Sequence, residues 1–313
     1  MPVNGTPQDA VMVENLTVSY YQHPAVHHLN CRFARGSLTA IVGPNGAGKS
    51  SLLDALVCKV KPSTGRVHLA VPGRAQVAYL PQQSSIDRSF PLRVADVVML
   101  GAWPALGLFG GASTEVQRRG TDALAQVGLN GFGGRPIGEL SVGQFQRVLF
   151  ARVLLQDAPL ILLDEPFNAI DGRTTVDLLA LVHRWHADGR TVLAVLHDLD
   201  QVRAHFPQTL LLAREGLAHG PTAEVLTPSK LLRARELAEL WDDAAAWCHR
   251  DAGVEATAGR PAGPLHRHAD ALPHAGTHGH DHSQGPGHHH SGNGHGAGGR
   301  QPAGHTGFDD ATR

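Results

Sequence analysis

Leu38-Thr39-Ala40-Ile41-Val42 runs directly into Gly43-Pro44-Asn45-Gly46-Ala47-Gly48-Lys49-Ser50. The apolar run reads as a buried strand, and the octapeptide after it fits G-x-x-x-x-G-K-[ST]. Glycines at this spacing let consecutive backbone N–H groups turn inward around a polyphosphate, while a helix opening near Lys49 aims its positive dipole end at the same anion. Lys49 then reaches the β- and γ-phosphates as a point charge, and the Ser50 hydroxyl sits on Mg²⁺. A Gly-rich turn that binds nothing is the competing reading. The strand before it, the Lys-Ser pair and the helical continuation Ser51-Leu52-Leu53-Asp54-Ala55-Leu56 stand against it.

On either side of the loop the chain keeps a regular rhythm. Val11 to Tyr20, Gly65 to Leu69 and Gln76 to Leu80 read as strands, the last two parted by Pro72-Gly73. Val94 to Leu100, Glu115 to Val127, Val142 to Gln156 and Thr174 to Trp185 have helical spacing, and Gly101 to Ser113 reads as a loop or a broken helix. Leu160-Ile161-Leu162-Leu163, Val192 to Leu196 and Thr209 to Ala213 are short apolar runs, suited to strands buried on both faces. Strands alternating with helices give a mostly parallel, doubly wound α/β core. The helices from about residue 90 to 140 form an inserted helical subdomain.

Composition separates two regions in the 313 residues. Residues 8–249 alternate apolar runs with polar turns, whereas 250–313 are rich in Gly, Ala, Pro and His with almost no large apolar side chains. The second region cannot offset its ordering entropy and is expected to be disordered. Acidic and basic residues balance, 28 against 27, which gives no reason to expect a nucleic acid partner. Cys31, Cys58 and Cys248 are odd in number and widely spaced, with Cys58 placed in the helix behind the phosphate loop. They read as reduced, mostly structural thiols. No apolar run approaches the ~18 residues that cross a bilayer, and the N-terminus carries no leader pattern.

Two more strand ends carry chemistry. Leu160 to Leu163 ends in Asp164-Glu165-Pro166, and carboxylates at the C-terminal edge of a parallel sheet face the ligand crevice. Asp164 would hold Mg²⁺ through its water shell, and Glu165 would orient and activate the attacking water. The same pair could instead be an ordinary helix N-terminus. Val192 to Leu196 ends in His197, which points toward the γ-phosphate or serves structure alone.

Leu140-Ser141-Val142-Gly143-Gln144 resembles the L-S-G-G-Q signature of ATP-binding cassette ATPases, and Phe145-Gln146-Arg147-Val148 continues it. The order also matches: phosphate loop, Gln82 of Leu80-Pro81-Gln82, signature, Asp-Glu strand, Asp171 of Asn168-Ala169-Ile170-Asp171, then His197. The resemblance covers about residues 10 to 228. It implies a P-loop NTPase with a RecA-like, mostly parallel sheet core, an antiparallel β subdomain and the inserted helical subdomain. It implies nucleotide contacts from Tyr20, Gly43, Pro44, Asn45, Gly46, Ala47, Gly48, Lys49, Ser50, Ser51, Gln82, Ser141, Gly143, Gln144, Asp164 and Asp171. Lys49, Glu165 and His197 would be catalytic, with Ser50, Gln82 and Asp164 around Mg²⁺. Tyr20 is similar to the adenine-stacking aromatic, Tyr21 being the other candidate. One residue departs from the pattern: Val142 stands where the family has Gly, and must take a negative φ with its side chain turned away.

The family works as a head-to-tail pair, each ATP clamped between one copy's phosphate loop and the other's signature. Separate membrane permease chains and an extracytoplasmic metal-binding protein would complete an importer. That places this chain in the cytoplasm on the inner face of the membrane. Ser85 to Gly101, with Asp87-Arg88-Ser89-Phe90-Pro91 before Val94-Ala95-Asp96-Val97-Val98, resembles zinc and manganese importer ATPases, as does Glu165-Pro166-Phe167. A manganese or iron importer is the second reading. A soluble cassette of DNA repair or translation is the reading of another class; those usually carry tandem cassettes or long coiled-coil insertions, and one cassette is seen here.

The C-terminal region adds His278, His280, His282, His288, His289 and His290 in a Gly/Pro-rich stretch. These can supply imidazoles to Zn²⁺ once the chain folds around the ion, at several interchangeable sites. A purification tag and a neutral linker are the competing readings, and the interspersed histidines disfavour a tag.

Overall fold

The computed structural model describes residues 9–243 except 22, 72–75, 107–110 and 112, all within one unit of the chain, residues 1–252. In chain order, β1 (Asp9–Tyr20) and β2 (His23–Ala34) form a hairpin, and β3 (Leu38–Val42) leads through the glycine loop to α1 (Lys49–Leu56). Next come β4 (Thr64–Leu69), β5 (Val77–Leu80), and then helices only: α2 (Val94–Met99), α3 (Trp103–Leu106), α4 (Thr114–Gln126) and α5 (Val142–Gln156). β6 (Leu160–Asp164), α6 (Gly172–Ala187), β7 (Thr191–Val195), α7 (Leu199–His205) and β8 (Gln208–Ala213) restore the alternation. β9 (Glu215–Pro221), α8 (Thr222–Val225) and α9 (Pro228–Asp243) close the described chain.

Two sheets result. The larger has the order β5-β6-β7-β3-β8-β9, parallel except for β9, and the smaller is antiparallel, β2-β1-β4. β3, β6 and β7 are buried at every position, because both faces of the larger sheet are covered. Their side chains alternate between two cores with the period of a strand. Ile41, Leu160, Leu162, Leu193 and Val195 join Leu52, Leu53 and Leu56 of α1 and the inner face of the small sheet. Leu38, Ala40, Val42, Ile161, Leu163, Val192 and Ala194 face the other way, onto α5, α6 and the helices before them. Trp185 stacks on Phe150 in that second core, ring centroids 5.7 Å apart.

Some elements escape the sequence patterns. β2 breaks its own alternation: Val26 and Leu29 are both buried, and His28 between them takes φ 46. The resulting bulge hides a strand whose polar His27-His28 pair argues against one. β9 contains two glycines and exists only as the antiparallel partner of β8. Cys58 corrects an expectation. It lies beyond the end of α1, exposed and with φ 57, whereas Cys31 is buried and its thiol is pushed up to about 12 by burial.

Candidate active site

The parallel strands end on a common edge, where Ile41 and Asp164 both pair with Val195. Backbone bonds lock the exits: Leu196 N–H donates to Ile41 O (3.1 Å) and Glu165 N–H to Val195 O (3.2 Å). The phosphate loop, the carboxylate pair and His197 are thereby delivered to one place. A cavity of 290 Å³ lies there, lined by Tyr20, Ala25, Asn45 to Ser51, Glu165 and His197.

The loop needs its glycines for space. A Cβ on Gly48, at φ 88, would sit 2.1 Å from the Ala25 carbonyl of β2, and one on Gly43 would sit 2.0 Å from the Leu212 carbonyl of β8. Both sheets therefore press on the loop and hold its shape. Lys49 is buried, and its Nζ donates to Gly43 O (2.9 Å) and Pro44 O (2.8 Å). Burial holds this ammonium below the usual lysine range, with Glu165 and Asp164 pulling the other way.

Ser50 Oγ donates to Asp164 Oδ1 at 3.1 Å. Burial pushes the Asp164 carboxyl up to about 6, Glu165 and Asp54 adding to the effect, Ser50 and Lys49 opposing it. Because that value exceeds the reference 3.8, folding favours the protonated form, and stability falls as pH rises from 3.8 through about 6. A divalent cation beside this hydroxyl and carboxylate would offset the cost, so the pair fits Mg²⁺ by charge and donor type.

Glu165 takes φ 50, a conformation that costs a non-glycine residue about 1–2 kcal/mol. Its Oε1 is 2.6 Å from His197 Nε2, and its Oε2 accepts from Gln82 Nε2 (2.8 Å) and Asn168 Nδ2 (3.1 Å). A carboxylate only accepts, so the ring proton of this pair sits on Nε2. Burial raises the carboxyl's pKa, but the hydrogen bonds and charge of His197, then Asn168 and Gln82, outweigh it and hold the group below its ordinary range. A water placed against Glu165 would thus meet an ionised, firmly oriented acceptor.

The remaining expected residues are dispersed. Tyr20 lines the cavity, whereas Tyr21 is 98% exposed at φ 49 and does not. The side-chain amide of Gln82 is directed at Glu165 and not at the Ser50–Asp164 pair, where the sequence placed it. Asp171 caps α6 by accepting from Thr174 N–H at 2.9 Å. Its Oδ2 lies 3.4 Å from where a Cβ on Gly143 would be, beside the signature segment. His278, His280, His282, His288, His289 and His290 lie outside the described residues.

The signature segment proves to be a helix start. Ser141 Oγ accepts from Gln144 N–H (3.2 Å) while Gln144 Oε1 accepts from Ser141 N–H (3.0 Å), a reciprocal capping box for α5. Leu140 before the cap and Phe145 after it are both buried in one core, the pattern of a hydrophobic staple. The spacing already places a helix at Val142 to Gln156, and Ser-x-x-Gln between Leu and Phe is legible as its cap, which the sequence reading left out. Asn168 was also missed, although it sits in the turn that Asn168 N–H closes on Glu165 O.

Comparison with known proteins gives the same reading. The ABC transporter family model matches residues 26–168. The manganese transport system ATP-binding protein MntB of Listeria monocytogenes is 41% identical over 70% of this chain and 93% of its own length. The zinc transport system ATP-binding protein TroB of Treponema pallidum is 38% identical over 72% and 86%. Among solved structures, a metal-chelate type ABC transporter in an inward-facing conformation superposes with TM-score 0.65 at 30% identity, covering 73% of this chain and 89% of that one. A phosphate-loop ATPase is the class this fold and edge define. The chain belongs to the ABC transporter family, as an ATP-binding and ATP-hydrolysing cassette.

Proposed function

We propose that this cassette energises import of a divalent transition-metal ion, zinc on the first reading. The observation that carries the metal is the 38–41% identity, over nearly their full length, to subunits named for manganese and zinc transport. The histidines of residues 278–290 favour zinc, and the higher identity to MntB favours manganese as the second reading. Among the described residues no helix is long and apolar enough to cross a membrane, so translocation needs permease chains. On this proposal the subunit lies on the cytoplasmic face beneath them, paired with a second copy, and an extracytoplasmic binding protein delivers the metal.

The site then works by positioning and electrostatics. Backbone N–H groups of Gly46 to Lys49 cradle the phosphates, and Lys49 turns from the Gly43 and Pro44 carbonyls to the β- and γ-oxygens. The Tyr20 ring takes the adenine. Glu165, held by His197, Gln82 and Asn168, accepts the proton of the attacking water. Ser50 and Asp164 would hold Mg²⁺, with Gln82 able to turn to it from Glu165, and the bound ion would supply charge neutralisation on the phosphates. Ser141, Gly143 and Gln144 of the second copy complete the phosphate shell, with Asp171 at the same junction.

Val142 occupies the first turn of α5 with a negative φ and its side chain 38% exposed. Val142→Gly is therefore expected to leave ATP turnover equal or higher, at a stability cost of about 0.5–1 kcal/mol or less. Phosphate release checks this, and a collapse in rate would show that the valine makes a productive contact.

Metal uptake into vesicles carrying the matched permease tests the function. ATP-dependent uptake of Zn²⁺ in preference to Mn²⁺ is expected; the reverse order would install manganese, and uptake of neither would end the proposal. A chain ending at His249 should bind less Zn²⁺ in calorimetry. The difference should fade as pH falls through about 6.5, where imidazole protonates. Unchanged zinc binding would remove the C-terminal histidines from the account.

A further inference from the structure

The segment after β5 touches both halves of the catalytic apparatus. At one end Gln82 donates to Glu165 Oε2 at 2.8 Å, and the next residue, Gln83, donates from Nε2 to the Val142 carbonyl at 2.9 Å. At the other end the Arg88 guanidinium donates to the Ile137 carbonyl (3.2 Å) and to the Leu140 carbonyl, and lies 5.0 Å over the Phe145 ring. Ile137, Leu140 and Phe145 are buried, and Arg88 Nε is itself buried without a protein partner among the described residues. One arginine therefore grips the turn before α5 at two carbonyls and one ring, while Gln83 holds its first residue. From the α6 side, Asp171 and Thr174 abut Gly143.

That start is the surface offered to the second copy's ATP. The capping box uses the N–H groups of Ser141 and Gln144, which leaves the first-turn N–H groups of Val142 and Gly143 to face an anion, with the helix dipole behind them. Their aim depends on the turn from Ile137 to Leu140, and a fixed cation within that turn adds to the field. Both carbonyls accept from one guanidinium nitrogen, Nη2, while the planar group lies over the Phe145 ring, a face contact that a compact ammonium does not reproduce.

We infer that Arg88 is a positioning residue for ATP-driven pairing. It sets the aim of the α5 start, and Gln83 and Gln82 tie that start to Glu165 of the same chain. The inference rests on the head-to-tail pair proposed above. Since each chain gives Glu165 to its own ATP and Ser141 to Gln144 to its partner's, this tie links the two sites through a single chain.

The test uses the full chain with Glu165→Gln, so that a closed pair accumulates, and reads two quantities. Binding of a fluorescent ATP analogue at low protein concentration reports the chain's own phosphate loop. Sedimentation against ATP concentration reports pairing. Adding Arg88→Ala should leave analogue binding within about two-fold and raise the ATP needed for half-maximal pairing about ten-fold, the scale set by losing charge-assisted bonds to buried carbonyls. Arg88→Lys should recover only part of the loss. Pairing of Arg88→Ala at the parent's ATP concentration would overturn the inference, and full rescue by Lys would reduce it to a charge effect and overturn the part given to stacking on Phe145. If Arg88→Ala loses its fold, Gln83→Ala serves: a smaller shift in the same direction supports the tie, and no shift refutes it. A parent chain that binds the analogue but never pairs would fail at the earlier step, and both readings would fall together.

Discussion

Glu165→Gln is expected to bind ATP and hold a closed pair while hydrolysis falls by roughly 10² or more, the share a general base contributes. The surroundings of Glu165 make this substitution clean. The side chain is isosteric, its Oε1 position still accepts from His197 Nε2, and Gln82 and Asn168 can turn their amide oxygens to the new NH₂. The φ of 50 is no worse for Gln than for Glu. What disappears is the oriented carboxylate that takes the proton of the attacking water. Phosphate release together with sedimentation checks both halves of the expectation, and near-normal turnover would remove Glu165 from the chemical step.

Lys49→Ala has the second large effect, on binding. The ammonium is buried and already desolvated, so no hydration has to be stripped from it when phosphate arrives. Its two present acceptors, Gly43 O and Pro44 O, are exchanged for phosphate oxygens carrying full charge. Loss of those contacts should weaken ATP by roughly 10²-fold or more, about 2.7 kcal/mol. Two loop carbonyls also lose their donor, at up to ~1–3 kcal/mol each where water cannot replace it. Titration calorimetry with ATP and Mg²⁺ reads the first effect and thermal unfolding the second. Affinity at the parent level would mean that the backbone cradle alone carries the phosphates.

Much of the fold was readable because local rules wrote it. The short apolar runs at Leu38, Leu160 and Val192 suit strands covered on both faces, and the glycine spacing from Gly43 to Gly48 suits a tightly folded loop. β2 was not readable. Its Val26–Leu29 break hides a period of two, and only its pairing with β1 makes His28 a bulge instead of an end. The same hairpin presses Ala25 against Gly48, so a strand absent from the sequence reading shapes the phosphate loop.

The site divides along the same line. Residue types at strand ends named Asp164, Glu165 and His197, and residue type alone left Tyr20 and Tyr21 as rivals until the cavity wall took one of them. No sequence pattern places Gln82 on Glu165, 83 residues away, or Arg88 on Leu140, 52 residues away. The sequence by itself determined the class of chemistry, because backbone periodicity, glycine spacing and strand-end carboxylates are local constraints that composition must obey. Only the tertiary structure decided which donors Glu165 has and what holds the start of α5 in place. Those contacts join segments remote in sequence, and packing of the two cores against the larger sheet brings them within a hydrogen bond of each other.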